Sequence, residues 1–351
     1  MIDNKRTVFI LGAGASCPYG YPSGARLCER IRLPQGFMND YTGYGIPSQL
    51  ERTARDAKLQ EIEKFKDAFN KSRIKSIDSF MAINPKLAPI GKYIIAFEIL
   101  RAEGKSLFGE EAKLEQEMLE FEKSQGASNP AGWLSHPLFK GEDWYFYLYN
   151  RLIEGLVGKN ALPDFSNGNL AFITFNYDRS LEHFLYESLS NLFTEVPEPD
   201  VSKCLKKLKI LHVYGQIAPL KWQDPKQGID YRPQISETLL QKTAANIKTI
   251  YEQEESPELN EAKQLLAQAK QIFFLGFGYA EENLEILKLP DRTKKTTWIY
   301  GTAFGVEVRE KYDIRSRIIQ WLPVESSDQV EVGYLKSTEN MDCLKLLRNY
   351  L

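Results

Sequence analysis

Short apolar runs, rich in β-branched and aromatic residues and ending near Gly or Asn, recur along the chain at Thr7–Leu11, 171–175, 210–214, 272–275 and 296–300. They lack polar alternation, which is the pattern of strands buried on both faces of a parallel sheet. Between several of them the period becomes helical. Leu181, Phe184, Leu185 and Leu189 follow the second run, and Leu259, Ala262, Leu265, Leu266 and Ala269 precede the fourth. The latter helix has a start signal, with Ser256 as N-cap, Pro257 at the first helical position and Glu258 in the first turn. Strands alternating with helices predict an α/β fold with a mostly parallel sheet.

From about residue 48 to 167 the strand signal disappears and helical stripes replace it: Leu59, Ile62, Phe65 and Phe69, then Leu114, Met118 and Phe121, then Trp144, Leu148, Leu152 and Leu156. A Gly/Ser/Asn/Pro cluster at 124–130 reads as an exposed loop. The expected organisation is an α/β domain made of 1–47 and 168–351, interrupted after its first strand and helix by a helical insertion, 48–167.

The length of 351 residues allows a sizeable core. Lys plus Arg number 45 and Asp plus Glu 47, so no lopsided field exists to attract nucleic acid or an anionic membrane. Any anionic ligand needs a local site. Cys17, Cys28, Cys204 and Cys343 are scattered with no C-x-x-C pair, which disfavours a disulfide framework and a zinc ribbon and suits a reducing compartment. No apolar run approaches the ~20 residues of a membrane helix. The expectation is a cytoplasmic protein.

Candidate chemistry gathers where the apolar runs end. Gly12-Ala13-Gly14-Ala15-Ser16 follows the first run and leads to Gly20-Tyr21-Pro22. Glycines there let backbone approach a ligand, and N–H groups at the start of a following helix can hold a diphosphate. Cys17 stands where the dehydrogenase G-x-G-x-x-G fingerprint needs its third Gly, so that reading loses weight. Thr174-Phe175-Asn176-Tyr177-Asp178 ends the second run, where open α/β sheets bind ligands. Asn176 and Asp178 can bond a ribose, an amide or a water, and Asp178 can equally cap the next helix. The third run gives Leu211-His212-Val213-Tyr214-Gly215-Gln216. Strand alternation predicts that His212 and Tyr214 share a face, and an imidazole exchanges protons near neutral pH. His136 and His183 read as peripheral. Gly276-Phe277-Gly278-Tyr279, with Glu281 and Asn283, forms a second strand-to-Gly turn.

Together these segments resemble the sirtuin-like family, the NAD-consuming proteins related to silent-information-regulator deacylases. The family's G-A-G-x-S followed by G-x-P is matched at the same spacing by 12–16 and 20–22. Its T-Q-N-x-D strand end, T-x-N-Y-D in bacterial sirtuin-like NADases, is similar to 174–178, and its L-G-F/Y-G turn with an acidic residue and Asn to 276–283. Ser76-Ile77-Asp78-Ser79-Phe80 resembles an S-I-D-x-F segment in the helical insertion of that group. Three departures stand out. The four-cysteine zinc module of the deacylases is missing; Pro22 is followed by Ser23-Gly24-Ala25; and the family's His-Gly falls on Tyr214-Gly215, with the imidazole two residues earlier at His212.

The resemblance implies a Rossmann-like fold and an NAD glycohydrolase that releases nicotinamide and ADP-ribose, in a setting of bacterial antiviral defence. It implies NAD as substrate, no metal, and contacts from Gly12, Ala13, Gly14, Ala15, Ser16, Pro22, Asp178, Tyr214, Gly215, Gly276, Gly278 and Asn283. Glycosidic cleavage passes through a ribosyl cation-like state, so positioning supplies much of the catalysis. Asn176 is expected to place the amide or the water. His212 is expected to be the base, unless Asn176 orients the water alone. The alternative is a non-catalytic NAD or ADP-ribose sensor, or a regulatory subunit working through a partner protein encoded nearby. A homo-oligomer is expected, without membrane or nucleic-acid partners.

Overall fold

The computed structural model describes residues 5–33, 36–104, 143–156, 161–249, 252, 256–289, 296–322, 324–333 and 340–351. The expected helix through Leu114, Met118 and Phe121, the loop at 124–130 and His136 lie outside the described residues. Strand β1 (Thr7–Leu11) leads through short 3-10 turns at Ala13–Ala15 and Cys17–Tyr19 to helix α1 (Gly24–Arg32), capped by the Ser23 side chain. Four helices follow: α2 (Gly36–Gly43), α3 (Arg52–Ser72), α4 (Ile77–Ile83) and α5 (Ala88–Gly104). Beyond the undescribed stretch comes α6 (Trp144–Ile153). The second half alternates: β2 (Leu170–Thr174), α7 (Ser180–Leu192), α8 (Glu198–Leu205), β3 (Lys209–His212), α9 (Glu237–Ala245), α10 (Pro257–Gln268), β4 (Gln271–Leu275), α11 (Glu281–Ile286), β5 (Trp298–Gly301), α12 (Val308–Trp321), β6 (Val330–Val332) and α13 (Cys343–Tyr350).

The strands form one six-stranded sheet in the order β3-β2-β1-β4-β5-β6, and every pairing is parallel. This is the Rossmann order, with the topological switch between β1 and β4. β1 and β2 are buried along their whole length, as the continuous apolar runs require. Register is visible at the centre, where the Phe9 ring stacks on its register partners Phe172 and Phe273, both at 5.2 Å.

The strands coincide with the predicted runs to within two residues at either end. Sequence patterning missed β6, which is three residues long, and α5. The latter is buried on nearly every side, so no one-sided apolar stripe betrays it. Side chains of α3, α4, α5 and α6 join the same contiguous core as the sheet.

Candidate functional site

Each motif-bearing loop leaves the C-terminal end of a strand, so β1, β2, β3 and β4 deliver theirs to one side of the sheet. A cavity of about 660 Å³ opens there. It is lined by Gly12, Ala13, Gly14, Pro22, Asn176, Asp178, Tyr214, Gly276, Gly278 and Asn283 from the expected set. Ala15, Ser16, His212 and Gly215 are not on this wall.

The glycines interlock with each other before they meet any ligand. Gly12 N–H donates to Leu275 O at 3.0 Å and Gly14 N–H to Gly276 O at 2.9 Å. Gly276 is left-handed at φ +56°, and a Cβ there would lie 1.9 Å from Ala15 N. Ala15 and Ser16 N–H close 3-10 turns on Gly12 and Ala13. The expected diphosphate cradle at 12–16 is thereby corrected: within it only Ala13 N–H lacks a backbone partner among the described residues. The first α-helix begins only at Gly24. Gly24 and Ala25, in the first turn of α1, line the cavity, and their N–H groups have no intrahelical acceptor.

Asn176 sits at the tip of β2 and is 8% exposed. Its Nδ2 donates to Gly12 O at 3.0 Å and to Ser16 Oγ at 3.1 Å, which fixes the orientation of the amide. Its Oδ1 is buried without a hydrogen-bond partner, an uncommon state for a buried acceptor. Asp178, also buried, accepts the Ser180 N–H at 3.1 Å and the Ser180 hydroxyl, tying down the first turn of α7. Burial pushes its pKa above the ordinary carboxylate range. Of the two roles left open for Asp178, fixing this loop is the one its contacts display. Beneath the cavity, Trp144 Nε1 donates to Ala15 O at 2.8 Å and Tyr145 Oη lies 2.9 Å from Ser180 Oγ, so α6 braces both loops.

His212 and Tyr214 do not share a face. β3 ends at His212 and the chain turns, Gly215 N–H donating back to His212 O at 3.1 Å. Tyr214 reaches the cavity, where its hydroxyl donates to Asn283 Oδ1 at 2.5 Å. Gly215 is a packing requirement, being left-handed at φ +74° with a Cβ position 2.2 Å from Asn246 O. His212 is buried below Asn176, with Nδ1 2.9 Å from Asn176 O and Nε2 2.6 Å from Glu182 Oε1. With a carbonyl on Nδ1 and a carboxylate on Nε2, both ring nitrogens are engaged and neither faces the cavity to take a proton from a substrate. Burial works against the imidazolium, but the Glu182 carboxylate outweighs it and raises the His212 pKa. The geometry corrects the expected base into a positioning group for Asn176. His183, as expected, is elsewhere; it stacks on Tyr231 at 3.6 Å, and burial lowers its pKa to about 4.

Sequence reasoning passed over Asp78 as a site residue, although its segment was singled out. Ser76 caps α4 and places Asp78 in the first turn, on the cavity wall beside Lys75. Tyr177 hydroxyl donates to Asp78 Oδ1 at 3.0 Å. Glu182 was also missed; it lies one turn beyond Asp178, a spacing that could have marked it as facing the same strand tip. Among the described residues no group of three or more His, Cys, Asp or Glu is placed to hold a metal ion, and no helix is long and apolar enough to cross a membrane. No protein-family model and no curated protein matches the chain.

Proposed function

We propose that the protein is a sirtuin-like NAD glycohydrolase, releasing nicotinamide and ADP-ribose. The observation that carries the reading is the unpartnered Oδ1 of Asn176, locked in orientation at the wall of a nucleotide-sized cavity in the switch-point crevice. An acceptor held there takes a hydrogen bond from the attacking water or from the carboxamide of nicotinamide. Ala13, Gly24 and Ala25 N–H groups would meet the diphosphate, and Gly278, whose Cβ position is open, leaves room for a ribose. His212, held by Glu182, keeps the Asn176 backbone in place.

The reaction needs C1′ of the ribose exposed to water while the nicotinamide is held, and positioning of this kind contributes most of such catalysis. In the setting implied by the family resemblance, the outcome is NAD depletion in an infected bacterial cell. The test is incubation of the purified protein with NAD, following nicotinamide and ADP-ribose by chromatography. Nicotinamide release, reduced at least ~100-fold in Asn176→Ala, is the expected result. NAD binding without turnover, in the presence of an intact fold, would favour the sensor instead.

A further inference from the structure

With both ring nitrogens of His212 engaged by Asn176 and Glu182, outside the cavity wall, another group is needed to deal with the positive charge of the reaction. The carboxylates on its wall are Asp78 and Asp178. Asp178 is committed to Ser180, with a further hydrogen bond from the Ser16 side chain. Asp78 is different. It is partly exposed into the cavity, its side-chain partner is the Tyr177 hydroxyl, and it has no cationic partner among the described residues. Tyr177 follows Asn176 directly in the chain, and Asp78, Asn176 and Tyr177 line the same cavity. Lys75 lines the same wall without an ion pair to Asp78.

We infer that Asp78 is a catalytic carboxylate of this site, facing the ribose C1′ and the cationic nicotinamide ring. The inference rests on the glycohydrolase reading. The C1′–N bond breaks with its electron pair passing to the nicotinamide nitrogen, and the positive charge moves onto the ribose opposite Asp78. A water oxygen then bonds C1′, and its proton passes to the Asp78 carboxylate, which returns it to solvent. A carboxylate in a site of low dielectric is favoured for both tasks. The groups around it are the hydroxyls of Tyr177 and Tyr214, the Cys28 thiol and Lys75. Burial raises its pKa, which makes it a stronger proton acceptor than a free carboxylate.

The test compares wild type, Asp78→Asn and Asp78→Glu for calorimetric binding of NAD+, NADH and ADP-ribose, alongside nicotinamide release. NADH has the same shape with an uncharged ring. Asp78→Asn is expected to bind ADP-ribose and NADH within about threefold of wild type, to lose about tenfold in affinity for NAD+, and to release nicotinamide at least ~100-fold more slowly. Asp78→Glu should keep the preference for NAD+ over NADH. Retention of that preference and of turnover in Asp78→Asn overturns the inference alone. Failure of the wild type to bind either NAD+ or ADP-ribose overturns the glycohydrolase reading, and this inference with it.

Discussion

His212 carries a proton that its surroundings both resist and retain. Burial alone would expel it, but Glu182 at 2.6 Å and the Asn176 carbonyl at 2.9 Å hold it, so the folded pKa lies above that of a free imidazole. A raised histidine pKa stabilises the fold fully below the unfolded value of about 6.5, and the contribution is lost as pH climbs through the folded value. His212→Gln should therefore lower the melting temperature more at pH below about 6.5 than at high pH, above the raised folded value, where the wild type has also lost the pair. Thermal melts across that range check this, and an equal difference at both ends would sink it. Asn176→Ala differs, because neither of the side-chain hydrogen bonds it removes, to Gly12 O and Ser16 Oγ, involves a titrating group; its cost of about 1–3 kcal/mol should be independent of pH, as measured by the same melts. The sequence marked both residues but could not assign the imidazole its role. Alternation of side chains holds only while the strand lasts, and β3 stops at His212.

At the scale of elements, the crevice is built by two loops that lock together. Gly276 curls left-handed under Ala15, and Gly12 and Gly14 donate to the β4 strand end and its loop. Gly276→Ala would add a strained φ and a Cβ 1.9 Å from a backbone nitrogen, so a loss of several kcal/mol, of the order of ~3 or more, is expected in urea denaturation. Gly278→Ala, two residues on, meets nothing within 4 Å and should change stability by less than about 0.5 kcal/mol. Similar losses from the two substitutions would contradict the interlocked loops. The glycine spacing was legible in the sequence, and so was its location at strand ends. What the glycines are for was not, since the partner of Gly12 and Gly14 is more than 260 positions away. Which N–H groups stay unpaired beside the cavity was hidden as well: nothing local reveals that 3-10 turns fill the gap before α1. α5 was invisible for a different reason. A helix buried on nearly every side has no period to read, and two of its polar residues, Glu98 and Glu103, are buried against arginines.

For the whole molecule, Glu103 adds a polar tie, beside the shared apolar core, between the helical segment and the sheet end where the candidate site lies. Arg179 follows Asp178 directly and is fully buried; its Nε and Nη2 meet both oxygens of Glu103 at 3.1 and 2.8 Å. The same guanidinium donates to the carbonyls of Pro219, Ile229 and Asp230, while Glu103 Oε1 also accepts the Arg232 N–H at 2.7 Å. One pair therefore fixes the end of α5, the start of α7 and the long connection after β3. A buried pair of this kind contributes little relative to a well-packed apolar replacement, but removing one member strands the other's charge at a cost of about 3–5 kcal/mol. Glu103→Gln should show that loss in urea denaturation, with the midpoint nearly insensitive to salt because water does not reach the pair. Combining Glu103→Leu with Arg179→Met should cost less than the two single substitutions added together, since no lone charge remains, although the three carbonyls still lose their donor. Strict additivity in that cycle would mean the two groups act independently. Because Arg179 adjoins Asp178, Glu103→Gln should also loosen the loop beneath the cavity and weaken ADP-ribose binding. A stable variant with unchanged binding would detach the helical segment from the site altogether.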